Sequence, residues 1–192
     1  MFVQAETLEP LSIDRHHAEI ASTVLNSTVP GQLRSYFVTI QNLCLYAWFA
    51  YDLYPVVQLL CFTAIEMALR IRLPVQGADK RGLRKLLDEA VKQKLIRTKG
   101  FSHIRQMRQS AADRLRSDRQ IVRQSGSLPK VSPSGLAKAN YPKVLADVIP
   151  PLRNAFAHPR YHAIVTPGDA LFDLQIASEL INQLFTRKSA LG

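Results

Sequence analysis

Arg153, Asn154 and His158 lie in the run Leu152-Arg-Asn-Ala-Phe-Ala-His-Pro159, where residue types and spacing suit chemistry on an anion. An arginine offers a planar fork that matches the oxygens of a phosphate, and it stays charged at physiological pH. A histidine changes protonation near neutrality, so it serves as an acid or a base. Asn154 and His158 are four apart and share a helix face. Arg153 and His158 are five apart, about 140° around the axis, a gap that the length of an arginine closes. A guanidinium beside an imidazole suits a phosphodiester: the first neutralises charge developing on the phosphate while the second moves a proton. Arg97 and His103 show a looser version of this spacing, but they straddle Gly100 and read as incidental.

The helix carrying this run begins near Tyr141, with Val144, Leu145, Val148, Ile149, Leu152 and Phe156 at helical spacing. Pro150-Pro151 either kinks it or starts a fresh helix at Pro150, and Pro159 ends it. Upstream, apolar positions recur at helical spacing from Leu33 to Tyr54, and Pro55 suits the first turn of a second helix. That helix runs to about Leu73 and is apolar almost all round, as an element at the centre of a bundle must be. Its one polar stripe is Thr63, Glu66 and Arg70. The simplest expectation there is an i,i+4 Glu66–Arg70 pair at the surface. The alternative turns Glu66 inward to orient Arg153 or His158.

The remaining pattern predicts a short amphipathic helix over Arg81 to Ile96, a basic helix from about Phe101 to Arg123, and a last amphipathic helix over Leu171 to Phe185. Ser125 to Asn140, rich in Ser, Gly and Pro, reads as a flexible surface loop. Residues 1–30 read as an N-terminal arm with a weakly periodic helix near Ile13 to Leu25. His16 and His17 point to different sides of that helix, so they are expected in solvent and not on a metal. No strand pattern or repeat stands out. The expected fold is all-α, in one domain.

At 192 residues the chain is long enough for one substantial core, and its net charge is +10. The segment Lys80 to Arg123 holds 14 of the 25 Lys/Arg but only four of the 15 acids, so the rest of the chain is neutral. Such a segment predicts an electropositive face for an anionic partner. Its basic helix has no aromatic beyond Phe101, so no base-stacking platform is evident there. Cys44 and Cys61, the only cysteines, give no disulfide framework, and a reducing, cytoplasmic compartment fits. Met1 to Pro10 lacks the basic start and apolar run of a signal peptide. Leu43 to Ile65 is interrupted by Asp52, Pro55 and Gln58, so it reads as buried core and no membrane is expected. No cluster of Asp, Cys and His suggests a metal, and no cofactor is expected.

The string Leu152-Arg-Asn-Ala-Phe-Ala-His158 resembles the Arg-Asn-x-x-x-His signature of the HEPN superfamily, small helical domains of prokaryotic toxins, defence systems and RNA-processing nucleases. Ala64 to Leu73 and Leu83 to Ala90 are similar to the middle of many such domains. The resemblance spans about 33 to 186. It implies a four-helix up-and-down core, here with an additional basic helix and a long loop, and homodimers whose motifs face each other across a twofold axis. It also implies metal-independent RNA cleavage, with a possible role as toxin or defence effector under an antitoxin or other regulatory protein. One toxin branch carries a tyrosine two residues after the histidine; here Arg160 stands there, and the tyrosine is Tyr161.

On that basis His158 is the expected general base on a ribose 2′-OH, Arg153 the phosphate ligand, Asn154 a holder of the histidine or backbone, and Glu66 a supporting acid. RNA would lie along Arg105, Arg108, Arg114, Arg116, Arg119 and Arg123. Two rivals keep the fold: a module that binds RNA or a nucleotide without turnover, and a helical interaction scaffold in which the three residues only pin a loop.

Overall fold

The computed structural model describes residues 12–73, 81–106, 140–158 and 165–186. Arg108, Arg114, Arg116, Arg119 and Arg123 lie outside the described residues, as does nearly all of the expected loop after Ser125. Among the described residues the chain is helical, with no strand. The elements are α1 (Ile13–Ser22), α2 (Gly31–Tyr46), α3 (Tyr54–Arg72), α4 (Leu83–Lys92), α5 (Tyr141–Ala157) and α6 (Pro167–Phe185), with 3-10 turns at Tyr51–Leu53 and Thr98–Gly100. A further stretch, 102–106, is also helical.

Helix α3 is the hub. It packs on α2, α4, α5 and α6, and α4 lies in turn against α5. The composition of α3 requires this position: Val57, Cys61, Ala64, Ile65, Ala68 and Leu69 are all fully buried, and together they cover most of its circumference. Pro55 sits in the first turn, and Arg70 and Arg72 in the last, where cations complement the helix dipole. Arg72 also donates from Nε to the Leu184 carbonyl at 2.8 Å, tying the ends of α3 and α6 together. The stretch Tyr51–Arg72 is long and apolar enough to cross a membrane, at mean hydropathy 1.4, but half of that window is buried inside the bundle.

The expected helix from Leu33 to Tyr54 is in fact two elements. Helix α2 stops at Tyr46, and the chain tightens so that the Trp48 N–H bonds to the Leu45 carbonyl at 3.2 Å. The next helical turn would have used that N–H for the Cys44 carbonyl. His16 takes its place: Nε2 donates to the Cys44 oxygen at 3.0 Å, and the ring packs 5.3 Å from that of Trp48. His16 is therefore fully buried, not solvent-exposed as its position in the sequence suggests, while His17 remains exposed. Apolar spacing ran on past the break because Ala47 and Tyr54 face the same core as α2. Cys44 and Cys61 are free and buried, and burial pushes the Cys44 thiol up to about 12.

Helix α6 opens with a reciprocal cap. The Thr166 hydroxyl accepts from the Asp169 N–H, and the Asp169 carboxylate accepts from the Thr166 N–H. Near its other end, Gln183 Oε1 accepts from the Arg97 N–H at 2.8 Å, docking the turn after α4. Gly100 packs directly over this amide; a Cβ there would stand 2.2 Å from Gln183 Cδ. Gly100→Ala must displace the amide and strand the Arg97 N–H. We expect a cost of about 1–2 kcal/mol, read as a fall in melting temperature of roughly 2–8 °C. In a Gln183→Ala background the same substitution should cost almost nothing, because the obstacle has gone.

Candidate functional site

Helix α5 delivers the Arg–His run. Pro150 and Pro151 lie inside it, yet the helix continues from Tyr141 to Ala157, so no fresh helix starts at Pro150. Their missing N–H groups leave the Ala146 and Asp147 carbonyls without ladder partners. The segment beyond them is held by packing: Phe156 lies against Phe62 of α3 with ring centroids 6.3 Å apart. That contact carries the last turns of α5 over the polar stripe of α3.

There the Glu66 carboxylate faces two guanidiniums. Its Oε1 accepts from Arg70 Nη2 at 2.7 Å and from Arg70 Nε at 3.1 Å. Its Oε2 lies 3.6 Å from Arg153 Nη2, an ion pair and not a hydrogen bond. The expected surface pair exists, and the same carboxylate also lies within ion-pair distance of Arg153. The Glu66 side chain is only 18 % exposed, against 34 % for Arg153. Arg70 Nη2 also donates to the Arg81 carbonyl at 3.2 Å, so Glu66 and Arg70 brace the segment before α4 as well. One carboxylate between two guanidiniums leaves a net positive charge at this spot, and Arg153 Nε is buried without a hydrogen-bond partner.

His158 is the C-cap of α5. Its backbone leaves the helix at φ −131° and ψ 66°, its N–H bonds to the Asn154 carbonyl at 3.0 Å, and its side chain is exposed. Asn154 is exposed too, and the part it plays here is through its carbonyl oxygen. Arg153 and Glu66 are thus brought together, whereas no hydrogen bond among the described residues joins the His158 ring to Arg153 or to the Asn154 amide. Arg105 is exposed on the 102–106 helical stretch.

The basic segment is partly matched by acids. Arg84 pairs with Asp147, and Lys143 lies 3.0 Å from Asp88 and 3.4 Å from Asp147, a ladder across α4 and α5. These groups are half-exposed, so solvent and salt screen the pairs and the ladder adds little to stability. Lys85, Lys92, Lys94, Arg97 and Lys99 are exposed. They provide the electropositive surface expected of this stretch.

Two contributors were not singled out from sequence. Arg70 passed as half of a surface pair, and Phe156 as one apolar position among many; the Phe-Ala before His158 was the only hint of the second. Glu66→Gln keeps the shape of the clamp and removes its charge. We expect it to lower the melting temperature by about 2–4 °C, roughly 1 kcal/mol, at low salt, and by less in 1 M salt, where exposed pairs are screened.

Among the described residues, no three His, Cys, Asp or Glu side chains gather as ligands for a metal ion. The chain matches no protein-family model, no curated protein and no solved structure.

Proposed function

We propose that this protein is a metal-independent endoribonuclease of HEPN type, with a four-helix core formed around α3. The reading rests on Arg153, which Glu66 holds from behind while a third of its side chain remains open, close in sequence to an exposed His158 at the same helix end. The positioning acid leaves the guanidinium oriented but incompletely neutralised, as a phosphate ligand requires.

In this mechanism the His158 imidazole takes the proton of a ribose 2′-OH. The freed 2′ oxygen attacks the adjacent phosphorus, and the bond from phosphorus to the next nucleotide's 5′ oxygen breaks. Arg153 neutralises the charge on the phosphate oxygens, bidentately where geometry permits. The departing 5′ oxygen receives a proton, supplied by His158 of a second copy in a homodimer. The products are a 2′,3′-cyclic phosphate and a 5′-hydroxyl. The cations of the 80–123 segment hold the strand, among them the exposed Lys85, Lys92, Lys94, Arg97, Lys99 and Arg105. A cell restrains such an activity, so an antitoxin or regulatory protein is part of the proposal.

The test is incubation of the purified protein with an RNA oligonucleotide, its DNA counterpart and its 2′-O-methyl counterpart, each with EDTA present. Cleavage of the RNA alone, leaving cyclic phosphate ends, is the expected result. Salt-sensitive binding with the RNA intact selects the non-catalytic RNA-binding module instead. Failure to bind any of the three leaves only the helical scaffold.

A further inference from the structure

Helix α2 turns a charge-free face to solvent. Its buried stripe, Leu33, Phe37, Ile40 and Cys44, packs into the bundle. The opposite side is exposed at Ser35, Val38, Thr39, Asn42 and Tyr46, a line with helical spacing. Phe49, in the turn just beyond, extends that line, and its N–H bonds back to the Tyr46 carbonyl at 3.0 Å. The outer side of a surface helix normally carries charge. Helix α4 does so at Arg84, Lys85 and Lys92, all exposed. From Ser35 to Tyr51, by contrast, the chain has no Asp, Glu, Lys, Arg or His.

The face is also graded in size. Small side chains, Ser35 and Val38, occupy its first half, and large rings occupy the second: Tyr46 is 65 % exposed and Phe49 76 %. Asn42 stands midway, with Val38 and Tyr46 four residues to either side and Ser35 and Phe49 seven. Large apolar side chains grouped in solvent mark an interaction surface. A strongly acidic or basic partner finds no charge here to pair with. What the face does match is itself, reversed end for end.

We propose that the outer face of α2 pairs antiparallel with the same face of a second copy of this chain, about a twofold axis at Asn42. In a twofold contact, residue i of one copy meets residue j of the other and the reverse holds too. Val38 then faces Tyr46 of the second copy, and Ser35 faces Phe49. Each large ring meets a small side chain, so the surfaces interdigitate without voids. A parallel pairing would set Phe49 against Phe49 and leave a gap between the two Ser35. At the axis the two Asn42 amides, each both donor and acceptor, bond to one another and fix the register, as a polar residue does at a coiled-coil seam. A chain with net charge +10 repels its copies, and a charge-free face is where that repulsion is least.

At these exposures Tyr46 and Phe49 together offer roughly 200–350 Å² per copy. With the smaller side chains the pairing buries on the order of 1,000 Å² in total, the small end of specific interfaces, so the dimer is weak and reversible. The face belongs to a different helix from Arg153: α5 packs on α3 and α4, whereas α2 packs on α1, α3 and α6. The pairing does not rest on the nuclease reading, and it is separate from the contact that would bring a second His158 to the RNA.

The experiment is sedimentation velocity on the full chain without RNA, over a range of about 1–100 µM, where small interfaces associate. We expect a reversible association step that does not weaken between about 0.1 and 0.5 M salt, because no charges meet in it. Asn42→Lys sets two like charges against each other at the axis and should weaken that step by at least about tenfold. Asn42 is exposed and lysine is a good helix former, so the fold is kept, and an unchanged melting temperature at low concentration checks this. The register has its own test. Val38→Glu alone and Tyr46→Lys alone should each weaken association, while the two together should restore it, because position 38 of one copy faces position 46 of the other. A chain that stays monomeric throughout overturns the pairing, as does an association step that Asn42→Lys leaves unchanged. Failure of the double variant to recover what its single parents lose overturns the antiparallel register.

Discussion

His158→Ala is expected to lower the single-turnover rate of RNA cleavage by about 10²–10⁴-fold, the range for removing a positioned acid–base group. RNA affinity should change by less than about twofold, because the lysines and arginines that would hold the strand are untouched. Arg153→Ala is expected to cost about 10²–10³-fold in rate, since the charge it would neutralise exists chiefly in the transition state. Arg153→Lys should recover only part of this loss, because an ammonium cannot make the planar two-point contact. Asn154→Ala should be the mildest of the set. The contact that Asn154 makes is a backbone carbonyl to the His158 N–H, which alanine preserves. A purified His158→Ala protein cleaving at the parental rate would end the catalytic reading, and the activity would then belong to a contaminant or to another site.

The second large effect concerns Asp173, in a half-buried position on α6. Burial pushes its carboxyl up to about 7; the neighbouring Asp169 raises it further, and a hydrogen bond from Gln58 opposes the shift. The other titratable groups near it are Tyr141 of α5 and Cys61 of α3, both themselves raised. Below about pH 4 the folded and unfolded chains both hold the proton, so nothing is lost. From there to about pH 7 the unfolded chain releases its proton while the folded chain keeps it, and stability falls with rising pH. Above pH 7 the full cost applies, at most about 4 kcal/mol for a shift of this size and nearer about 2 kcal/mol after allowing for partial exposure.

Asp173→Asn removes this cost while keeping an acceptor for Gln58. We therefore expect the variant to be more stable than the parent by about 2–4 kcal/mol at pH 8, a rise in melting temperature of roughly 4–16 °C. At pH 4 the two should agree within about 1 kcal/mol. Calorimetry across that range decides the matter: parallel pH profiles would mean that Asp173 is ionised and well solvated in the folded protein.

Much of the fold was legible in apolar spacing. The all-round apolar character of α3 located the hub of the bundle, and Pro55 marked its start because proline suits a first turn. The early end of α2, at Tyr46 and not Tyr54, was not legible. It depends on a buried histidine bonding to a carbonyl 28 residues away, and nothing in the local pattern distinguishes that from a continuous helix. The proline pair showed the same limit. Local rules allowed a kink or a new start, and packing of Phe156 on Phe62 accompanies a helix that runs on.

The candidate site divides along similar lines. Residue types and spacing picked out Arg153, Asn154, His158 and the Glu66–Arg70 stripe, because covalent neighbours four or five apart share or adjoin a helix face. They did not reveal that Glu66 spans from Arg70 to Arg153, since those partners lie on different helices and more than 80 residues apart in sequence. Nor did they single out the outer face of α2, since its exposure depends on which helices pack against it. By itself the sequence determined the helices, the charge surplus and the residues able to do chemistry, all of which follow from local spacing and composition. Only the tertiary structure decided which carboxylate holds which guanidinium and which helix face stays uncovered, because burial and long-range contact arise when helices pack.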